Sequence, residues 1–346
     1  MALKFLHKYS LLGSATLLLW FFMATDLIAQ NGGVAGASTR IGYSARGMAM
    51  SNAMAAVTSE GAFSYYNPAQ AALLLGSRQT DLTVGALKFG RVFQSSGIQF
   101  QLPPTAGFSI NILHSGINDI DGRTQSGYPT EKFDASEYQI ASNFGIRLNE
   151  KLNAGIGLKF SIANYHPQLA NPTNFGIDLG LIYTADSNFN IAVSAKDLFS
   201  SYSWNSQNLY SLRQSQNEVN DFPTRIIIGL AYQREKLTLS SDFELQLYSA
   251  EVKSRDQGTN GTSSYEKINT NSSQLRLGAS WDAHERFTIR GGWQLQEISA
   301  FESWSASSGF SIHLPFDVFS PSIDYAFVLE PYRISNMHVF SLRLNL

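Results

Sequence analysis

Cysteine is absent from this 346-residue chain. Its absence excludes disulfide frameworks, Cys-ligated zinc, thiol nucleophiles and lipid attachment through an N-terminal cysteine. Charge is scarce as well. Asp, Glu, Lys and Arg make up 15% of residues, against about 25% in ordinary soluble domains. The formal net charge is −2, which leaves no basic footprint for nucleic acid. Long hydrophobic runs are also missing. Beyond Met23 no apolar stretch approaches the ~20 residues of a membrane-spanning helix. If this chain crosses a membrane, it crosses as strands.

Recognisable catalytic motifs are missing too. There is no GxSxG elbow, no P-loop and no complete GxGxxG. The histidines (His7, His114, His166, His284, His313 and His338) are scattered without metal-ligand spacing. The reading is therefore no enzyme, no cofactor and no metal.

What is present begins with an export signal. Lys4 and Lys8 precede an apolar stretch over 11–23, and cleavage after Ala29 would leave Gln30 as the first mature residue. Residues 1–29 are read as a signal peptide, 30–77 as a small-residue segment rich in Gly, Ala, Ser and Met, and 78–346 as a single run of alternating strands.

The alternation decides the fold class. Tyr138, Ile140, Ser142, Phe144, Ile146 and Leu148 oppose Glu137, Gln139, Ala141, Asn143, Gly145 and Arg147. Leu152, Ala154, Ile156, Leu158, Phe160 and Ile162 oppose Asn153, Gly155, Gly157, Lys159 and Ser161. The pattern recurs down to Phe340, Leu342, Leu344 and Leu346 at the end. Period two gives one apolar and one polar face. A soluble sandwich alternates too, but its strands are shorter, ~5–6 residues. Strands of about ten residues suit a tilted bilayer crossing.

The connectors alternate in length. Short ones fall at 149–150, 185–188, 234–236 and 282–286; long ones at 118–132, 165–173, 200–221, 249–272 and 296–307. Short turns on one side and long loops on the other are the bacterial barrel pattern. The fold class is therefore an all-β transmembrane antiparallel barrel of about fourteen strands in the bacterial outer membrane, with both termini periplasmic. Its partner is the lipid bilayer.

Charges on the polar face at membrane depth must face water or one another. Arg147, Lys159, Asp178, Arg225, Asp242, Glu244, Arg276, Arg290 and Asp324 are candidates for lumen groups. They serve either as a polar path or as a network bracing the wall. On this register Lys159 should tolerate Gln. Trp281 and Trp293 read as interface anchors. Trp204 and Trp304 fall in long loops, and Tyr202, Trp204 and Tyr210 form a candidate loop contact surface or else pack inside a folded loop.

Residues 42–74, GYSARGMAMSNAMAAVTSEGAFSYYNPAQAALL, resemble the N-terminal signature of the PorV/PorQ family. NFGIDLGLIY, AVSAKDLF, DFPTRIIIGLAY and the closing SIDYAFVLEPY extend the likeness along the mature chain. Ser51-Asn52 stands where that family often has a Gly pair, and Gln70 replaces a Gly. The family resembles the FadL long-chain fatty-acid transporters, with fourteen strands and an N-terminal hatch. The resemblance implies that residues 30–77 plug the lumen, with Gly42 and Gly47 in the hatch and Tyr65, Tyr66, Asn67, Pro68 and Ala69 at its junction with the wall. Arg40, Arg46 and Glu60 are its only charges, expected to pair with groups such as Asp178 or Arg276. The resemblance also implies type IX secretion, with secretion-system proteins or secreted cargo as partners of the outer loops. The alternative is FadL-like uptake of small hydrophobic molecules, which an apolar pocket near the outer rim would favour.

Overall fold

A computed structural model describes residues 35–59, 64–73, 78–124, 126–167, 169–205, 217–255, 263–298, 303–316, 320–330 and 335–345. The signal peptide at 1–29, Glu60 and Tyr210 lie outside the described residues.

The strands are β1 (Gln79–Leu87), β2 (Arg91–Leu102), β3 (Ala106–Arg123), β4 (Pro129–Asn149), β5 (Leu152–Asn164), β6 (Thr173–Thr184), β7 (Phe189–Leu198), β8 (Ser201–Asn205), β9 (Asn217–Asp221), β10 (Thr224–Arg234), β11 (Leu237–Arg255), β12 (Ser263–His284), β13 (Phe287–Gln296), β14 (Ser303–His313), β15 (Ser322–Leu329) and β16 (Asn336–Asn345). All but β8 and β9 form one closed antiparallel barrel of fourteen strands. Closure is made by β1 against β16, in register from Gln79↔Asn345 to Leu87↔Met337.

The period-two pattern became the two faces of this wall. On β5, Ile156, Leu158 and Phe160 are 42%, 46% and 47% exposed, while Lys159 and Ser161 are buried. The apolar register covers the outside, and the polar register lines the inside. Trp281 is 53% exposed on the outer face, and Trp293 is half-buried.

The rims differ as the connector lengths imply. One rim carries tight turns such as β4–β5, where Lys151 N–H donates to the Asn149 side chain. The other carries the long connections, two of which are not loops. Expected loops at 118–132 and 249–272 are mostly strand: β3 and β4 run 18 and 21 residues, β11 and β12 run 19 and 22. Cross-strand pairing simply continues past the wall, because polar strand ends in water can keep their ladder. Trp304 is likewise in strand, on β14, and 40% exposed outward. The 200–221 connection folds into the β8–β9 hairpin.

The segment before β1 packs on the inner face of the wall. Its described residues hold one short α-helix, α1 (Ala45–Ala49), capped by Ser44, and 3₁₀ turns at Ser38–Arg40 and Pro68–Ala72. Tyr43, Met48, Met50, Met54, Val57, Tyr65 and Tyr66 are buried together with wall residues Phe93, Leu113, Ile182 and Ile227. The inner wall is kept thin to admit this segment. At Gly155 a Cβ would overlap the backbone of Pro68 and Ala69.

An outward arginine at mid-strand costs about 2–4 kcal/mol. Leu158→Arg should therefore reduce the heat-modifiable folded band sharply, whereas Leu158→Met should leave it intact. Equal folding of the two variants would refute the assigned facing.

Candidate functional site

The inward charges of β5, β6, β7, β10, β11 and β12 join into one ladder across six neighbouring strands. Lys159 meets Asp178 at 2.6 Å and also binds Asp197. Arg225 meets Asp197 at 2.6 Å and reaches Glu244 at 4.0 Å. Arg276 closes on Glu244 at 2.7 Å. Lys196 lies 3.9 Å from Asp178 and 4.5 Å over the Tyr65 ring. Charges removed from water need such partners.

Of the sequence-predicted lumen residues, Lys159, Asp178, Arg225, Glu244 and Arg276 are thus brought together. Asp242 stands apart from the ladder and accepts the Ala55 N–H at 3.0 Å. Arg290 and Asp324 meet through Ser311, which binds both. Arg147 is half-buried near the short-turn rim and forms no ion pair with a described residue.

Lys196 and Asp197 were not legible from the alternation. Adjacent residues on a regular strand face opposite sides. Here Asp197 has φ 61°, and the β6–β7 register shifts between Ile177 and Leu179, which turns both side chains inward. The expected tolerance of Lys159 is also corrected: its ammonium sits between two carboxylates rather than in open water.

The tyrosine-rich motif is anchored at several points. Lys196 donates to the Tyr65 carbonyl, and the Tyr65 hydroxyl donates to the Thr39 carbonyl at 2.7 Å. Tyr66 donates to Asn52 at 2.7 Å. Gly47 lies under the Tyr66 ring, where a Cβ would not fit, and Gly42 turns the chain at φ 142°. Asn67 donates to the carbonyls of Ala55 and Leu181, and its oxygen accepts the Ala69 N–H at 3.0 Å. Pro68 opens the turn, where its missing N–H costs nothing. Arg46 pairs with Asp324 at 3.0 Å. The segment's expected partners, Asp178 and Arg276, are instead held by the wall itself.

At the long-hairpin rim, Glu137 gathers three chain segments. Its carboxylate accepts from Ser38, from Tyr165 at 3.1 Å and from Tyr202 at 2.7 Å. Burial first, and then this carboxylate, push both phenols well above the ordinary tyrosine value, so they remain donors. Tyr202 is fully buried against Ala163 and Phe222, with Trp204 half-buried beside it. These two aromatics face inward from the hairpin, the second of the two arrangements open to them.

Two cavities adjoin Ala37, Ile41, Leu87 and Arg91 at this rim. One, of about 280 Å³, has a mainly apolar surface that includes Val92, Ile117 and Ala135, with Arg91, Glu137 and Tyr165 also on its lining. The other, of about 360 Å³, is lined by Arg40, Glu244, Arg276, Glu330 and four glutamines. Among the described residues, no cluster of three or more His, Cys, Asp or Glu could hold a metal ion.

The architecture has solved counterparts. The Ralstonia pickettii toluene transporter TbuX matches with a TM-score of 0.60 at 13% identity, covering 88% of this chain and 98% of that one. The Pseudomonas putida toluene transporter TodX matches at 0.58 and 12%, covering 88% and 96%. A Pseudomonas aeruginosa FadL homologue matches at 0.60 and 12%, covering 87% and 97%. The fold is that of the FadL-type outer-membrane barrels. No protein-family model and no curated protein sequence matches the chain.

Removing one member of a buried ion pair costs ~3–5 kcal/mol. Lys159→Gln should therefore lower the urea midpoint of the folded barrel in vesicles markedly, and adding Asp178→Asn, which leaves the Asp197–Arg225 pair intact, should restore part of it. A midpoint unmoved by the single change would refute the ladder.

Proposed function

We propose that this barrel takes up small hydrophobic molecules across the bacterial outer membrane, with its N-terminal segment as the hatch. The observation that carries this reading is the apolar cavity of about 280 Å³ at the long-hairpin rim. Apolar walls with a few polar groups are the usual make-up of a small-molecule site. The walls come from β1–β4, from Tyr165 after β5 and from residues 36–41 of the N-terminal segment. A guest would therefore touch both the wall and the segment that must move to let it pass. The solved barrels of the same fold carry toluene or other monoaromatic hydrocarbons by name, which agrees in kind with a cavity of this size. The long-hairpin rim faces outward in bacterial barrels, so the cavity would be met first from outside.

A second reading comes from the resemblance of residues 42–74 to the PorV/PorQ signature: escort of secreted cargo in type IX secretion, with secretion-system proteins as partners. Its contact surface was to include Tyr202, Trp204 and Tyr210. Tyr202 is occupied in holding Glu137, which weakens that support.

Equilibrium dialysis of toluene against the full chain in lipid nanodiscs, with empty nanodiscs subtracted, tests the uptake reading. Saturable binding is expected, reduced about tenfold or more by Ala135→Trp, which fills the cavity. No saturable binding, together with copurification of secretion partners, would favour escort instead. The hatch is tested separately. Intact barrels in planar bilayers should conduct little, and deletion of residues 32–59 should open a large steady conductance. Porin-like conductance of the intact protein would refute it.

A further inference from the structure

The second cavity is the wrong kind of space for a hydrocarbon. It holds about 360 Å³, more than the apolar cavity beside it, and the two share Ala37, Ile41, Leu87 and Arg91. Its far wall is a patch of carboxamides on three adjacent strands. Gln246 of β11, Gln274 of β12, and Gln294 and Gln296 of β13 all fall on the inward register, with Gln296 opposite Gln274 and Gln294 opposite Arg276.

The charges in this cavity are largely spoken for. Arg91 holds Glu330 at 2.7 Å and Arg276 holds Glu244 at 2.7 Å. Arg40 donates to the Ala35 carbonyl at 3.0 Å. Two amides are not. Gln246 donates to Glu244 and Gln274 accepts from Arg276, but Gln294 and Gln296 make no side-chain hydrogen bond to another described residue. Each offers two donor hydrogens and an acceptor oxygen. A pair of donor–acceptor amides beside two closed ion pairs suits a guest that also both donates and accepts; Arg40, hydrogen-bonded to a carbonyl, is the one lining charge with no ion-pair partner among the described residues.

We infer that the natural guest of this barrel is an amphiphile: a small apolar body for the first cavity, joined to a bulky, uncharged, hydroxyl-rich group for the second. This rests on the uptake reading and names its substrate class. A bare hydrocarbon would leave the amides unanswered. Sites built to hydrogen-bond a guest discriminate strongly against analogues that lack the bonding groups. A carboxylate or single hydroxyl would fill only a corner of the larger space.

The test compares toluene, phenyl β-D-glucoside and benzoate by equilibrium dialysis against the full chain in nanodiscs. The glucoside is expected to bind about tenfold or more tightly than toluene, roughly the yield of one or two net hydrogen bonds. In the double variant Gln294→Leu, Gln296→Leu, the ratio of the two affinities should fall toward one. The heat-modifiable band and the toluene affinity report whether that variant is folded. Toluene equal to or tighter than the glucoside overturns the inference and leaves the uptake reading standing. Benzoate binding most tightly overturns it in favour of an anion at Arg40. A glucoside preference that survives the double variant overturns the assignment to the glutamine patch. If none of the three binds saturably, the uptake reading falls and the inference with it.

Discussion

A backbone N–H or C=O exposed to hydrocarbon has no water to bond, and each one left unpaired costs several kcal/mol. Every other feature of this chain follows from meeting that demand with strands. An open sheet would leave two edges in lipid, so the last strand must return to the first. It does so over the whole length of β1, nine residues from Gln79 to Leu87 against Asn345 to Met337. Closure in turn imposes the two faces. Outward positions such as Leu158, Phe160 and Phe175 meet lipid, and inward ones such as Ser161 and Asn174 cannot.

Closing fourteen strands creates a second demand. The interior grows with strand number, and an interior lined with Ser, Asn, Gln and charges must be wet or filled. The N-terminal segment packs Met and Ala against the glycine-thinned wall and is braced internally by hydrogen bonds such as Gln70 to the Met54 and Val57 carbonyls. Most wall charges are neutralised within the wall. Among the described residues of the segment, Arg46 alone is in a salt bridge with a wall acid, Asp324. Withdrawing the segment would break that pair and hydrogen bonds to wall charges, among them Lys196 to the Tyr65 carbonyl, Ala55 N–H to Asp242 and Ser38 to Glu137, while leaving the ion pairs of the six-strand ladder in place.

The parts of this arrangement set by local repetition could be read from residues alone. Alternation, as over β4, β5 and β6, gave facing, because lipid on one side and crowding on the other leave a period-two trace; the count of such runs gave strand number, and connector length gave rim asymmetry. What depended on distant partners could not be read. The Lys196–Asp197 pair breaks alternation through a left-handed backbone at Asp197. Tyr202 looks like a loop aromatic until Glu137, 65 positions away, is seen beneath it. The hairpins of β3–β4 and β11–β12 look like loops because polar strands in water carry no apolar face to mark them. The cavities are invisible in sequence because residues from six or more separate segments line each.

The position of residues 36–41 connects these levels. The same short stretch borders the apolar cavity through Gly36 and Ser38, borders the polar one through Arg40, and contributes Ala37 and Ile41 to both. Gly36 is at φ 67° with the Phe222 ring against it, so no larger residue fits there. Ser38 is fastened to Glu137, and Glu137 also holds the β8–β9 hairpin through Tyr202 and the β5–β6 connection through Tyr165. One carboxylate therefore ties the partition between the cavities to two segments at the long-hairpin rim. A guest that displaced any one of these hydroxyls would remove a third of the bonds holding the others' common acceptor. The partition and the rim are thereby linked through Glu137, without any need for a change in the wall.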